Sequence, residues 1–277
     1  MIFLPNIIPQ PALRPFIKDY LLIHVKLNHV SIENRIKPIP PDADQSIFFY
    51  PRSPVTAITN STKESRASAP SVFVGQQTTR VNIQFGIDHL IIQVRFQPGV
   101  LYKLLGRMPI TEFNGIEIDA EFLSDYELKV LNNKLSETNN YNKMIDLIEA
   151  YFLKRIGKLK IEILPIDKAI SHLKNSDQSV SLSWLADQAC LSTRQFERNF
   201  IYQMGMSPKF YARIARFDRA FKLKQAKTEM SWQHIAYSCG YYDFSHLMKD
   251  FNQFAEVTPS MLLVEDIEAP DKKFSRL

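Results

Sequence analysis

Arg194, Glu197 and Arg198 stand three and four positions apart in a stretch anchored by Phe196 and Phe200. On a helix that spacing puts the three charged residues on one outward face and the two phenylalanines on the other. An exposed face with two arginines at the N-terminal end of a helix matches what enters a DNA major groove, where Arg bonds guanine O6 and N7. A second set, Phe244, Ser245, His246, Met248 and Lys249, surrounds the anchors Leu247 and Phe251 in the same way. It is less charged, so apolar contacts with thymine methyls and a Lys249 contact are expected there, with Phe244 alternatively part of the core. Solvated charged faces follow the same spacing, and what decides between the readings is the repeat that carries them.

That repeat spans Ser181 to Leu263. Leu185-Ala186 and Cys190-Leu191 answer to Ile235-Ala236 and Gly240-Tyr241 at a shift of 50, and Phe196, Phe200 and Met206-Ser207-Pro208 answer to Leu247, Phe251 and Val257-Thr258-Pro259 at a shift of 51. Apolar positions, small residues and punctuation recur together, as expected of a duplicated supersecondary unit. Ser181 is placed to cap one helix, and Ser192 with Gln195 forms a capping box for the next. Ser207-Pro208 opens a connecting helix with the buried stripe Ile214, Phe217, Ala220, Phe221 and Leu223. Ser231 or Thr228 and then Asp243 are the cap candidates of the second unit, and Gly240 supplies its turn.

Basic residues follow the same region. Leu191 to Lys227 holds nine lysines and arginines against Glu197 and Asp218, whereas 162–264 holds twelve against ten acidic residues. The signal is a stripe along Arg213, Arg216, Arg219 and Lys222, with some members expected on phosphates and others ion-paired inside the domain. A net charge of +5 and pI near 9.0 are compatible with that partner.

The 277 residues, 45% hydrophobic, are enough for two globular domains. No apolar run is long enough to span a bilayer and no leader pattern opens the chain, so a cytoplasmic protein with no membrane partner is expected. Cys190 and Cys239 sit at matching places near the ends of the first helices and read as small buried side chains. The six histidines show no metal-binding spacing, so neither a metal nor another cofactor is called for.

The first hundred residues alternate Ile/Val/Phe/Tyr-rich runs with Pro, Asn and Ser. Strands are predicted at Ile17 to Leu27, Gln45 to Tyr50, Val55 to Thr59, Ser71 to Gly75, Thr79 to Phe85 and His89 to Phe96. In the last, alternation of Ile91, Gln93 and Arg95 with Ile92, Val94 and Phe96 predicts one drier face. Pro40 and Pro41 exclude ladder bonding in the loop 39–45, whose Asp42 and Asp44 read as surface residues, and Arg95 as a sheet-edge residue, in preference to a polar pocket of the three. Helices follow at Val100 to Leu105, Tyr126 to Leu135 and Tyr141 to Ile156, the last with an apolar face for its own domain or a dimer seam.

The fold class expected is therefore multi-domain α and β. A β-rich barrel or sandwich of cupin-like type with trailing helices (1–157) is followed by a linker (158–165). An all-α domain (166–264) then carries two helix-turn-helix units, about 181–204 and 231–254, before a tail (265–277).

Leu185-Ala186, Ser192 through Phe200, Gly205-Met206-Ser207-Pro208, Ile235-Ala236, Gly240-Tyr241 and Phe251 with Val257-Thr258-Pro259 closely resemble the AraC/XylS family of bacterial transcription regulators. The resemblance implies reader helices in adjacent major grooves of double-stranded DNA, with Arg194, Glu197 and Arg198 in the first and Phe244, Ser245, His246, Met248 and Lys249 in the second. Lys249 stands where many members have Arg, and a lysine, a point charge on a flexible stem, lacks the bidentate fork. Pro40-Pro41-Asp42 and Val94 through Gly99 with Leu104-Leu105-Gly106 resemble an uncharacterised domain often found ahead of such units, which implies a sensory or regulatory role.

The expected function is a sequence-specific transcription regulator, controlled by a small-molecule effector or by self-association, including as a homodimer. The rivals are a small-molecule binder or enzyme addressed to DNA by its C-terminal half, and an N-terminal domain serving only dimerisation. No Ser/His/Asp motif or phosphate-cradling glycine pattern supports an enzyme.

Overall fold

The computed structural model describes residues 2–59, 65–113, 117–123, 126–176 and 180–273. Among these residues the first part holds the strands β1 (Ile2–Ile7), β2 (Ile17–Lys26), β3 (Ile36–Ile39), β4 (Ser46–Phe49), β5 (Thr56–Thr59), β6 (Ser65–Ala67), β7 (Ser71–Val74), β8 (Val81–Gln84), β9 (Asp88–Phe96) and β10 (Glu117–Asp119). They form a six-stranded sheet in the order β1-β2-β9-β4-β7-β10 and a four-stranded sheet in the order β3-β8-β5-β6, antiparallel throughout. Among the described residues no pairing joins the sheets or closes either one, so the arrangement is an open two-sheet one and not the closed barrel that was one expectation.

The break has a local cause. Strand β3 tolerates Pro38 because it is an edge strand, and Pro40 and Pro41 then remove two consecutive donors, so the chain leaves the sheet before β4. Strands β1, β3, β6 and β10, which the alternation pattern did not single out, are short or lie at sheet edges.

Alternation along β9 sets the two faces of the larger sheet. Ile92, Val94 and Phe96 are buried against α1 (Val100–Leu104), α2 (Tyr126–Glu137) and α3 (Tyr141–Leu159), with the Phe96 ring edge-on to Phe152 at 5.5 Å. The opposite residues His89, Ile91 and Gln93 look toward the smaller sheet. Helix α3 thus packs on its own sheet.

The second part is helical: α4 (Pro165–Asn175), α5 (Leu182–Gln188), α6 (Thr193–Met204), α7 (Pro208–Ala226), α8 (Trp232–Ser238), α9 (Phe244–Ala255), α10 (Pro259–Glu268) and α11 (Pro270–Lys273). Residues 158 and 159 continue α3, so 160–164 alone are non-helical between α3 and α4. A single core runs through this part, with Phe217 fully buried between Phe251 at 4.7 Å and Phe254 at 5.4 Å. Each such ring contributes on the order of 1.5–3 kcal/mol by leaving water.

Residues 265–273 differ from the expected tail. Helix α10 runs on through Glu268, and α11 follows with Asp271 buried. Both bind the smaller sheet, through Arg80 to Glu265 at 2.6 Å and Lys37 to Asp271. The tail residues 274–277 lie outside the described residues.

Candidate nucleic-acid interface

Each helix of the two units begins on a side-chain cap. Ser181, Ser192, Ser207, Ser231, Asp243 and Thr258 accept from the backbone N–H three residues on, satisfying donors that a helix start leaves orphaned. Gln195 completes a capping box with Ser192. Between the paired helices the chain reverses through a left-handed residue, Gly240 at φ +77° in the second unit and Cys190 at φ +54° in the first.

The cysteine expectation is corrected here. Cys239 is buried, whereas Cys190 is exposed, because the left-handed turn at its position lies outside the core.

Helix α6 buries Phe196 and Phe200 and leaves Arg194, Glu197 and Arg198 exposed together on its N-terminal half. Its other end docks on the first part of the molecule: Gln203 and Met204 are buried, and the Gln203 carbonyl accepts from Gln45 Nε2 at 3.1 Å. Helix α9 buries Leu247, Phe251 and Phe254 and exposes Ser245, Lys249 and, at 38%, Phe244. His246 and Met248 are half-buried. The His246 Nε2 lies 3.1 Å from Arg216 Nη2 and its ring is edge-on to Tyr241, which ties the side chain to the protein.

The basic stripe of α7 is largely committed internally. Arg213 and Arg216 both donate to Asp250, which is 1% exposed, at 2.7 and 3.0 Å, and Lys222 pairs with Asp218 at 2.7 Å. Arg216 also lies over the Tyr241 ring at 4.2 Å. Asp250 therefore orients α9 against the connecting helix, a role that its position next to Phe251 offered no spacing signal to find.

Residues 185–263 match a family model described as a helix-turn-helix domain, and residues 6–119 match one described as a domain of unknown function (DUF6597). The chain is a DNA-binding transcription regulator with an AraC-type helix-turn-helix domain. No curated protein matches the regulator's sequence significantly. Among solved structures, ToxT from Vibrio cholerae is 13% identical and aligns over 89% of this chain and 98% of its own at a TM-score of 0.50, a likeness of two-domain fold. ToxT solved with a bound unsaturated fatty acid gives 13% identity, 89% and 95% coverage and a TM-score of 0.49. A transcriptional regulator with an AraC-type DNA-binding domain from Chromobacterium violaceum is 26% identical over 38% of this chain and 93% of its own, at a TM-score of 0.34.

A cavity of about 220 Å³ lies between the regulator's two sheets. Leu21, Ile23, Phe48, Ile91 and Gln93 line it from the larger sheet and Ile39 and Ile83 from the smaller, with Lys37, Asp42, Asp44, Tyr50, His89 and Glu117 as its ionisable groups. His89 is 1% exposed, stacks on Phe85 at 3.7 Å, and among the described residues has a partner on neither ring nitrogen. Burial, with Lys37 and His24 adding to it, pushes its pKa down to about 3, so the ring is neutral.

Asp42 and Asp44, read from the sequence as surface loop residues, belong to that wall, and their loop is a strap wedged against the helical part. Ala43 is buried among the C-terminal core residues, and its carbonyl accepts from the Tyr211 hydroxyl at 2.9 Å. Asp44 is buried and paired with Lys18 at 3.1 Å and with Lys174 of α4. Burial raises the Asp44 pKa, but Lys174, Lys18 and Lys222 override it and hold the carboxyl well below the usual range. Arg95 takes no part: it pairs with Asp19 at 2.5 Å, and its strand is central in the sheet, not an edge.

A second junction forms at Gly99, φ +78°. A Cβ there would crowd Asp167 Oδ1 and Gln203 Oε1, and the left-handed φ strains any residue but glycine. Lys103 of α1 pairs with the same Asp167 and donates to the Glu162 carbonyl at 2.8 Å. No helix among the described residues is long and apolar enough to cross a membrane.

Proposed function

We propose that the two capped helices α6 and α9 read adjacent major grooves, and that a small molecule in the cavity between the sheets controls whether they do. In this reading 1–157 is the sensing domain, 166–264 the DNA-binding domain, and the protein works in the cytoplasm without an enzymatic step. Arg194, Glu197 and Arg198 make the directional contacts of the first unit. Phe244, Ser245 and Lys249 serve the second, with His246 and Met248 at the margin of its face.

The observation that carries the control is the strap. Asp42 and Asp44 line the cavity, while Ala43 and Asp44 are held by Tyr211 of α7 and Lys174 of α4. An occupant that prefers one position of the strap must prefer one arrangement of the helices attached to it, and by linkage it shifts the DNA-competent population. Allostery of this kind is typically worth about 1–3 kcal/mol of coupling.

The test of the DNA assignment is selection of duplexes from a random pool by the full-length protein at fixed salt. Two enriched blocks about 10 base pairs apart are expected for tandem readers on one face of the duplex. A single block, or enrichment that Arg194→Ala leaves unchanged in sequence, would argue that the first unit does not read bases.

A further inference from the structure

The cavity is built for charge as well as shape, and we propose that the effector it takes is a compact organic cation, an ammonium-bearing molecule with a small apolar body. The inference rests on reading the cavity as the effector site and adds the chemical class of its occupant.

Three observations point to that class. Asp42 and Glu117 line the cavity, and among the described residues neither has a cation in a salt bridge; Glu117 accepts only a hydroxyl bond, from Ser68 at 2.8 Å. Their neighbour Asp44, by contrast, is paired with two lysines, and Lys37, the ammonium of the lining, is engaged by Asp271. Two carboxylates in a low-dielectric wall thus lack a contacting cation; Lys222 near Asp42 and Arg66 near Glu117 act only from a distance and do not offset their burial.

The second observation is His89, whose open nitrogens offer one donor and one acceptor in an orientation fixed by the Phe85 stack. A ligand ammonium can donate to the acceptor nitrogen, and a ligand hydroxyl can meet either one. Third, Phe48 and Phe85 lie in the same lining, and aromatic faces attract cations. The volume, about 220 Å³, is under the roughly 300–1,000 Å³ of drug-sized pockets, which selects a short molecule.

The electrostatics agree with the geometry. Burial and the adjacent Asp44 push the Asp42 pKa up to about 6, and burial raises that of Glu117, so the charged form of each stands to gain from a cation. A carboxylate ligand meets two like charges instead. Because Asp42 adjoins Ala43 in the strap, a cation bound there acts directly on the segment that Tyr211 and Lys174 hold.

The experiment is titration calorimetry on the full chain with benzylammonium, phenethylammonium and cyclohexylammonium, their matched alcohols and carboxylates, and an unsaturated fatty acid. Saturable heat is expected from at least one ammonium ion, with a Kd at least tenfold below that of its matched alcohol. Asp42→Asn should weaken it at least tenfold while keeping the oxygen that accepts from the Asp44 N–H at 2.9 Å. Glu117→Gln keeps an acceptor for Ser68 and should weaken it in the same direction.

Alcohols or carboxylates that bind as tightly as the amines, or affinity that both variants leave unchanged, overturns the cation assignment. If the tighter binder is a carboxylate or the fatty acid and Ile91→Trp, which fills the cavity, abolishes it, the cavity stands as the effector site and only the charge class fails. Silence from every series sinks both readings.

Discussion

The Tyr211 hydroxyl donates to the Ala43 carbonyl at 2.9 Å, joining the connecting helix of the DNA-binding part to a six-residue strap whose two aspartates face the cavity between the sheets. Both groups are fully buried or nearly so. Tyr211→Phe removes the donor and leaves the acceptor without water, a loss of about 1–3 kcal/mol. The thermal midpoint should fall by roughly 2–4 °C for each kcal/mol lost. The preferred duplex sequence should not change, because Tyr211 touches neither reader face. A midpoint equal to that of the parent would remove this bond from the junction.

The helical half was legible because its rules are local. Ser181, Ser192, Ser207, Asp243 and Thr258 cap helices where their spacing to the next apolar residue says they must, and of the two candidates Ser231 and Thr228 the serine is the cap. The drier face of β9 was equally readable from alternation, since Ile92, Val94 and Phe96 are all buried. What escaped depends on partners far away in the chain. Asp44 and Lys174 lie 130 residues apart, and Asp250 meets Arg213 from 37 residues away. A proline-rich loop with two aspartates has the composition of a surface loop, and only the helices packed against it turn it into a buried strap. The turn residue Cys190 shows the converse: its left-handed backbone follows from the match to Gly240, and its exposure follows from the backbone.

Arg194 and Arg198 stand exposed on one face of α6. Alanine at either should cost about 1–3 kcal/mol at the preferred site and relax base preference at one position. The check is a competition assay over a panel of single-base variants of the selected duplex. Uniform weakening across the panel would make the residue a phosphate contact instead.

Cys190 holds φ +54° where the second unit has Gly240 at φ +77°. A side chain in this region costs about 1–2 kcal/mol that glycine avoids, partly offset by the greater freedom glycine gives the unfolded chain. Cys190→Gly is therefore expected to stabilise by up to about 1 kcal/mol, and Gly240→Ala to destabilise by about 1 kcal/mol or more. Denaturant midpoints of the two variants should move in opposite directions; movement in the same direction would mean that packing at the turns, not backbone conformation, sets their stability.

His89 and Asp42 make opposite demands on pH. The imidazole titrates near 6.5 when unfolded and at about 3 when buried beside Lys37, His24 and Asp88, so its contribution to stability is complete above pH 6.5 and is lost as pH falls toward 3. Asp42, facing Asp44, Lys222 and Asp218, is raised from 3.8 to about 6, so the folded state holds the extra proton and its contribution grows as pH falls from 6 to 3.8. Each group acts with a slope of at most about 1.4 kcal/mol per pH unit. Between pH 6 and 4 the two therefore oppose each other. Asp42→Asn should make stability fall more steeply with acid across this window, and His89→Gln should make it fall less steeply. Parallel pH profiles for parent and both variants would contradict the assigned titrations.

Asp250, 1% exposed, holds α9, the proposed second reader helix, through Arg213 and Arg216 of α7. Removing one partner of a buried ion pair costs about 3–5 kcal/mol, because the remaining charges keep their desolvation penalty without their attraction. Both arginines here keep some access to water, which places the loss for Asp250→Ala at the lower end of that range, about 3 kcal/mol. Asn retains an acceptor but not the charge, and should lose less. The distinguishing readout is which DNA block suffers. Since Asp250 orients α9 and not α6, selection with Asp250→Asn should keep the block read by Arg194 and Arg198 and blur the other. Equal blurring of both blocks would show that the ion-pair cluster supports the helical part as a whole instead of aiming its second reader.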